Sequence, residues 1–237
     1  NMLTLDAKGF DLHVVALQNN SSLTALNYNY DGLEITIELD KKYSRKDTLK
    51  IYIEYTAKPN DLIDSGDDAI ASGKGLYFID PLDKDPEKPS QIWTQGETES
   101  SSCWFPTIDI PNEKMTQEIS ITVKEKYLTL SNGELIYQTE NGDGTRTDVW
   151  AMNKQHSPYL TMLAVGEFSV IEDMWRDSID VNYYVEKEYA PHAMQIFGKT
   201  PEMLECFSSL LGVDYPWVKY HQIVVRDYVS GAMENTS

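Results

Sequence analysis

Cysteine and basic side chains are scarce in this chain of 237 residues. Its two cysteines, Cys103 and Cys206, lie far apart without a C-x-x-C spacing, so neither a disulfide framework nor a cysteine zinc site is indicated. We expect two free, buried thiols. The 20 Lys and Arg residues stand against 38 Asp and Glu residues, giving a formal net charge of -18 without a basic cluster. This balance argues against nucleic acid as a partner, and its ordinary role is solubility.

Long apolar runs are also missing. No stretch approaches the roughly 20 residues that a helix needs to cross a bilayer, and the first residues lack the basic-then-apolar pattern of a signal peptide. We therefore expect a soluble chain with no membrane segment. Its localisation stays open between the cytoplasm and a periplasmic or secreted address.

The first three quarters of the sequence show the alternation of apolar and polar residues that is typical of short strands. We predict half-buried strands at 33–39, 49–55 and 119–123, and a strand covered on both faces at 159–165. Asn132-Gly133 and residues 141–144 predict turns, and residues 57–74 and 81–90 predict loops. This part of the chain reads as all-β.

The pattern changes after about residue 185, where a helix is predicted. Thr200 is expected as its N-cap, Pro201 as its first residue and Gly212 as its left-handed C-cap. The apolar stripe of this helix is expected to be core: Met203, Leu204, Phe207, Leu210 and Leu211. A buried strand is predicted at 220–225, so this last part is of mixed class.

The chemistry enters with the segment Gly231, Ala232, Met233, Glu234 and Asn235. It resembles the G-A-M-E-N exopeptidase signature of the gluzincin zinc aminopeptidases, the aminopeptidase N-like family. In that family a proline more often stands at the position of Arg226. Upstream, Gln95-Gly96-Glu97 and the run from Phe105 to Pro111 are similar to the family's Q-x-E and F-P-x-x-D-x-P elements, although the arginine frequent between them is missing.

The resemblance implies a mainly β fold. A saddle-like β-sheet or sandwich would form an amino-terminal domain over residues 1–175, followed at 176–237 by the α+β start of a thermolysin-like catalytic domain that ends at G-A-M-E-N, before the zinc motif. Residues 1–10 resemble a stretch that the family places after its opening strands. We therefore expect the chain to be a truncated fragment that lacks its first strands.

The resemblance also implies a substrate site. Glu97 and Glu234 would bind the α-ammonium group of a peptide through charge-assisted hydrogen bonds, and Gln95 would add an acceptor without further charge. Small side chains at Gly231 and Ala232 would let an extended peptide pair with the backbone, although a turn would explain Gly231 equally. Met233 could line the pocket or simply be core, and Asn235 completes the set.

The family's catalytic zinc requires H-E-x-x-H on a helix, which this sequence does not contain. Its four histidines, His13, His156, His192 and His221, are isolated from one another. We therefore expect no catalytic residue and no metal ligand here, with zinc belonging to the full-length parent. The expected partners are peptides with a free amino terminus and the remainder of the catalytic domain.

Two other functions remain compatible with the sequence. A non-catalytic relative could keep the fold as a scaffold for protein interaction, because fold and function separate readily. Retention of Gln95, Glu97 and Glu234 together argues against this alternative. A free-standing β module that binds protein or carbohydrate would leave the G-A-M-E-N segment unexplained.

Overall fold

The computed structural model describes residues 1–62 and 73–237. The chain forms two compact units that are interleaved along the sequence. Unit 1 comprises Asn1–Tyr77, Gln95–Lys114 and Ser157–Tyr159, and unit 2 comprises Phe78–Thr94, Met115–His156 and Leu160–Ser237. Strands dominate both units, which confirms the mainly β fold class.

The described part of unit 1 contains two antiparallel sheets. Its strands are β1 (Met2–Asp6), β2 (Phe10–Asn19), β3 (Ser22–Ala25), β4 (Tyr28–Tyr30), β5 (Glu34–Glu38) and β6 (Ile51–Ala57). One sheet has the order β1-β5-β4 and the other has the order β3-β2-β6.

The core of unit 1 follows from the alternation in the sequence. In β5, Ile35 and Ile37 are completely buried, while Glu34 and Glu38 are exposed. The two isoleucines join Phe10 and Val15 of β2 in one apolar cluster, so both sheets contribute to the same core. This period-2 burial confirms the predicted strand, which is shorter than 33–39 at both ends.

Unit 2 contains most of the remaining strands. They are β7 (Leu76–Ile79), which crosses from unit 1 into unit 2, β8 (Gln91–Thr94), β9 (Met115–Lys124), β10 (Leu128–Ser131), β11 (Glu134–Glu140), β12 (Thr145–His156), β13 (Leu163–Gly166), β14 (Phe168–Ile171), β15 (Met174–Trp175), β16 (Ile179–Asp180), β17 (Tyr183–Glu186) and β18 (Gln222–Ile223). Their sheet orders are β10-β13-β8-β7, β11-β12-β9, β14-β17-β18 and β15-β16.

The helix and the following strand that the sequence predicts are both present in unit 2. Helices α1 (Ala190–Phe197) and α2 (Thr200–Leu211) connect β17 to β18, and these two strands pair in parallel. Ala193 of α1 and Leu204 of α2 pack against Trp175, Val181 and Tyr183. This crossover confirms the mixed class of the last quarter of the chain.

Helix α2 begins one residue away from the prediction and ends where predicted. Lys199 is the N-cap, and Thr200 is the first helical residue, whose Oγ1 donates to the Phe197 carbonyl at 2.7 Å. Gly212 adopts a left-handed conformation with φ 69°, and its N–H donates to the Ser208 carbonyl. That geometry is the reason for glycine at the C-terminus of the helix.

The apolar stripe of α2 is not core, contrary to the prediction. Of its five residues only Leu204 is buried; Met203, Phe207 and Leu211 are exposed, and 76% of the surface of Leu210 is accessible. The helix turns only the Leu204 side toward the cluster around Trp175. Cys206 lies on this exposed helix, so the expectation of two buried thiols holds for Cys103 alone.

Two predicted strands are shorter than expected. The segment 159–165 begins as a 3-10 turn, Pro158–Leu160, and becomes a strand only at Leu163. The segment 220–225 contributes only β18, which is half-buried because it lies at the edge of its sheet. Residues 81–90 form a loop as predicted, whereas the predicted loop 57–74 contains the 3-10 turn Pro59–Asp61 and falls partly outside the described residues.

The division into domains at 175/176 stays a prediction. That position falls within unit 2, where Ile171 and Trp175 share a cluster with Val181 and Val185.

Across the described ranges, no helix combines the length and apolarity that spanning a membrane requires.

Substitution of Ile35 by Ala should destabilise the protein by about 2 to 5 kcal/mol, because it leaves a cavity in a buried apolar cluster. Leu33→Ala is the matched control, since 59% of the surface of Leu33 is exposed. Urea unfolding followed by circular dichroism would measure both. Equal losses for the two variants would contradict the placement of this core.

Candidate functional site

The loop that carries Gln95 and Glu97 follows strand β8 and lies in unit 1. The Gln95 N–H donates to the Gly75 carbonyl at 3.0 Å, and the side chain is only 1% exposed. Neither its Oε1 nor its Nε2 has a hydrogen-bond partner among the described residues. A buried amide in this state costs about 1 to 3 kcal/mol, so it requires an explanation.

Gly96 allows this loop to lie directly on another segment of unit 1. A Cβ at Gly96 would stand 2.1 Å from the Tyr159 carbonyl oxygen, a distance that no side chain tolerates. Its carbonyl accepts the Ser100 N–H at 2.9 Å, and the Ser101 hydroxyl donates to the Pro158 carbonyl at 2.9 Å. The backbone on both sides of the half-buried Glu97 is therefore held in place.

Asp109 of the F-P-x-x-D-x-P run is hydrogen-bonded to the backbone that follows this loop. Its carboxylate is buried and accepts the Ser102 N–H at 2.8 Å, while its own N–H donates to Asp6 at 2.7 Å. Burial raises the pKa of Asp109, and the hydrogen bonds from Ser102 oppose that shift. Asp109 therefore has a structural role in unit 1.

The G-A-M-E-N segment lies in unit 2, outside any strand of the described chain. Gly231, Ala232 and Glu234 are exposed, and Met233 and Asn235 are half-buried. Gly231 does not have a positive φ, and a Cβ there would meet nothing within 4 Å. Neither a positive φ nor close packing in the described structure requires glycine at this position, and residues 229–231 form a bend, so the turn stays open as an explanation.

The end of the segment is attached to the rest of unit 2. Thr236 is buried, and its carbonyl accepts a hydrogen bond from the Asn132 side chain. The Ser237 hydroxyl accepts the His221 N–H at 3.1 Å. These contacts place residues 231–237 along one wall of a cleft.

The cleft has a volume of about 710 Å³ and lies entirely in unit 2. Its walls are mostly apolar and aromatic, with Tyr215, Trp217 and Tyr220 among them. Pockets of this size and character commonly bind ligands. Buried Asn235 Oδ1 and both ring nitrogens of His221 lack hydrogen-bond partners in the part of the chain that the structure describes.

Lys219 is the most perturbed cation of the cleft. It is 6% exposed, donates to the Ser131 carbonyl at 2.9 Å and lies 5.3 Å from the centre of the Trp150 ring. Burial lowers its pKa to about 7, and the charge of Glu134 only partly opposes this. Burial, together with the charge of Lys219, lowers the pKa of His221 to about 3, so this imidazole is neutral.

The structure thus forms two groups of predicted residues. Gln95 and Glu97 share one loop of unit 1, and Gly231, Ala232, Met233, Glu234 and Asn235 share one wall of the cleft in unit 2. Convergence of the two groups stays a prediction. Lys219, His221 and Asn132 were not predicted as parts of a site, because no motif or spacing in the sequence connects them with one another.

The described residues do not supply a metal site. Within 1–62 and 73–237 no group of three or more His, Cys, Asp or Glu side chains is arranged to hold an ion. His156 is buried, with its Nε2 3.0 Å from Gln117 Oε1, and His13 lies 2.9 Å from the Thr56 hydroxyl. Neither arrangement provides a second ligand.

Comparison with known proteins identifies a family model that covers more than half of the chain. Residues 1–160 match the model of the Peptidase M1 N-terminal domain. The chain therefore belongs to the M1 peptidase family.

Several relatives are named as aminopeptidases. The chain is 28% identical to the puromycin-sensitive aminopeptidase of Caenorhabditis elegans, over 68% of this chain and 17% of that protein. It is 30% identical to aminopeptidase M1 of Arabidopsis thaliana, over 68% of this chain and 18% of that protein. It is 27% identical to aminopeptidase N of Streptomyces lividans, over 69% of this chain and 19% of that protein. The matches span less than a fifth of each of these relatives.

Replacing Lys219 by Met should stabilise the fold at pH 7 by about 1 kcal/mol or more, because it removes a buried cation that has no carboxylate partner at hydrogen-bond distance among the described residues. The pKa of Lys219 in the folded state is about 7, below that of a free lysine. At pH values between these two pKa values, the unfolded state therefore binds more protons than the folded state. The free energy of unfolding of the unsubstituted chain should therefore rise from pH 7 to about pH 10.4. Its slope with pH should be smaller in Lys219→Met.

Denaturant unfolding at several pH values would measure the slope. Lys154→Met is the matched control, because Lys154 is exposed and should change stability by about 0.5 kcal/mol or less. An unchanged slope in Lys219→Met would contradict the buried position of its ammonium group.

Proposed function

We propose that this chain is part of a zinc metalloaminopeptidase that removes amino-terminal residues from peptides, and that it supplies the anchor for the substrate α-ammonium group. The observation that carries the proposal is the buried side-chain amide of Gln95, which has no partner within the described residues. Its carbonyl oxygen suits an ammonium donor. Each unsatisfied buried group in a native structure requires an explanation, and a functional role at a binding site is one.

Glu97 and Glu234 provide the charge in this proposal. Glu97 follows Gln95 by two residues on a loop whose backbone is fixed by Gly96 and Ser101. Glu234 is exposed at the wall of the cleft. Two carboxylates supply negative charge opposite the ammonium group, and with one amide oxygen they offer an acceptor for each of its three donors.

Gly231 and Ala232 form the backbone-pairing surface. Both are exposed, and the space at Gly231 is open to at least 4 Å. Their backbone groups lie outside the strands of the described structure, so they are free of ladder hydrogen bonds. A peptide in an extended conformation can pair with such a segment as an added strand.

The remainder of the catalytic domain is the proposed partner of the apolar face of α2. The face consists of Met203, Phe207, Leu210 and Leu211, all exposed. Exposed apolar patches of this kind mark interaction surfaces, and the relatives matched here are more than five times longer than the matched region. A longer polypeptide would bury this face and bring the zinc ligands.

We expect the isolated chain to hold no stoichiometric zinc and to show no turnover of aminoacyl reporter substrates, because its described residues offer no ligand set. Elemental analysis of the purified chain and a 4-nitroanilide assay measure the two properties. One tightly held zinc per chain, or measurable turnover, would contradict this part of the proposal.

Glu97→Gln and Glu234→Gln, made in the zinc-containing longer enzyme, should each lower kcat/KM by about 30-fold or more. Loss of one partner of a charge-assisted contact costs about 2 to 5 kcal/mol. Zinc content should not change, because neither residue is proposed as a ligand.

Glu99→Gln is the matched control for both, since Glu99 is exposed two residues beyond Glu97. Aminoacyl 4-nitroanilides and their N-acetylated forms would be compared as substrates. Unchanged kinetics of the two site variants on free-amine substrates would refute the anchor.

A further inference from the structure

Arg226 lies five residues before Gly231, and its guanidinium group is held by a fork of two hydrogen bonds. Its Nε donates to Glu186 Oε1 at 2.8 Å and its Nη2 to Glu186 Oε2 at 2.7 Å. Glu188 accepts a longer contact of 3.4 Å. The side chains of Arg226 and Glu186 are 32% and 14% exposed, so the pair is partly withdrawn from solvent.

The backbone of Arg226 is fixed as well. Its N–H donates to Gln91 Oε1 at 2.9 Å, and its carbonyl accepts the Trp93 indole N–H at 3.1 Å. Gln91 also reaches Glu186 at 3.4 Å. Strand β8 thus holds the main chain of Arg226, while the end of β17 holds its side chain.

No regular structure holds the loop that follows. Residues 224–237 lie outside any helix or strand of the described chain. The Val224 N–H donates to the Tyr184 carbonyl at 2.9 Å, and the hydrogen bonds that hold the path after Val224 involve side chains. The adjacent Asp227, which has a left-handed φ of 53°, pairs with Lys88. This second ion pair is more exposed and therefore weaker.

A proline at this position could not reproduce these contacts. Proline fixes φ but has no N–H to donate to Gln91 and no guanidinium to pair with Glu186. In this chain, directional hydrogen bonds from both the backbone and the charged side chain hold this position. A bidentate arginine–carboxylate pair fixes orientation as well as distance.

We propose that Arg226 is a positioning residue for Glu234: its bonds to Glu186, Gln91 and Trp93 set the path of the loop and so the location of the carboxylate that binds substrate. The inference rests on the proposed function. Arg226 itself does not touch substrate.

Arg226→Ala, Arg226→Lys and Glu186→Gln would be studied first in this chain. We expect amide hydrogen exchange of residues 231–235 to accelerate by about tenfold in Arg226→Ala and less in Arg226→Lys, which keeps the charge but loses the fork. Arg176→Ala is the matched control, because Arg176 also forms a bidentate pair, with Glu205, in the same unit.

The zinc-containing longer enzyme gives the functional readout. With aminoacyl 4-nitroanilides, Arg226→Ala should raise KM by about tenfold and change kcat less, because the anchor is displaced rather than removed. The double variant Arg226→Glu with Glu186→Arg should recover part of the loss. Arg176→Ala should leave KM unchanged.

The outcomes separate this inference from the proposed function. If Glu234→Gln raises KM and Arg226→Ala does not, the positioning role is wrong and the anchor stands. If Glu234→Gln leaves KM unchanged, the anchor itself is wrong. Acceleration of exchange throughout unit 2 in Arg226→Ala would reduce Arg226 to a stabilising residue and also overturn the inference.

Discussion

The side-chain amide of Asn132 is the interaction on which the arrangement of unit 2 depends. It is completely buried, and all four of its hydrogen-bonding positions are used. Oδ1 accepts the Met162 N–H at 2.7 Å and the Gln117 side chain at 2.9 Å, while Nδ2 donates to the carbonyls of Leu160 and Thr236. One side chain thus joins β9, the approach to β13 and the residue that follows the G-A-M-E-N segment, and any shorter residue would leave several of these groups unsatisfied.

Local pattern was a good guide wherever the deciding contacts were local. Alternation in β5 predicted which side chains of that strand are buried, and Gly212 ended α2 as expected because only φ had to be satisfied. The prediction that the apolar stripe of α2 is core was wrong because the burial of that face depends on distant contacts. A helical period indicates that a face is apolar but not that another element covers it, so Phe207 and Leu210 are exposed. Strand 220–225 failed similarly, since burial depends on neighbours.

The residues of the candidate site also differ in how far the sequence could predict them. Gln95, Glu97 and Glu234 were found only through resemblance to a family, because no periodicity or spacing distinguishes them from surface residues. The burial of Gln95 without a partner became visible only in three dimensions. Lys219 and Asn132 gave no signal of burial, since a lysine is ordinarily exposed and an Asn-Gly pair predicts a turn. Arg226 appeared merely as an exception to a pattern until its four partners were seen.

The two thiols differ in a way that offers a practical handle. Burial raises the pKa of Cys103 to about 11, which suppresses its thiolate, whereas Cys206 is exposed on α2. It follows Met203 by three residues and precedes Leu210 by four, so it stands on the same helical face as both. A maleimide dye would therefore attach to Cys206 without altering the sequence. Its emission would report, in real time, the arrival of whatever polypeptide covers that helix.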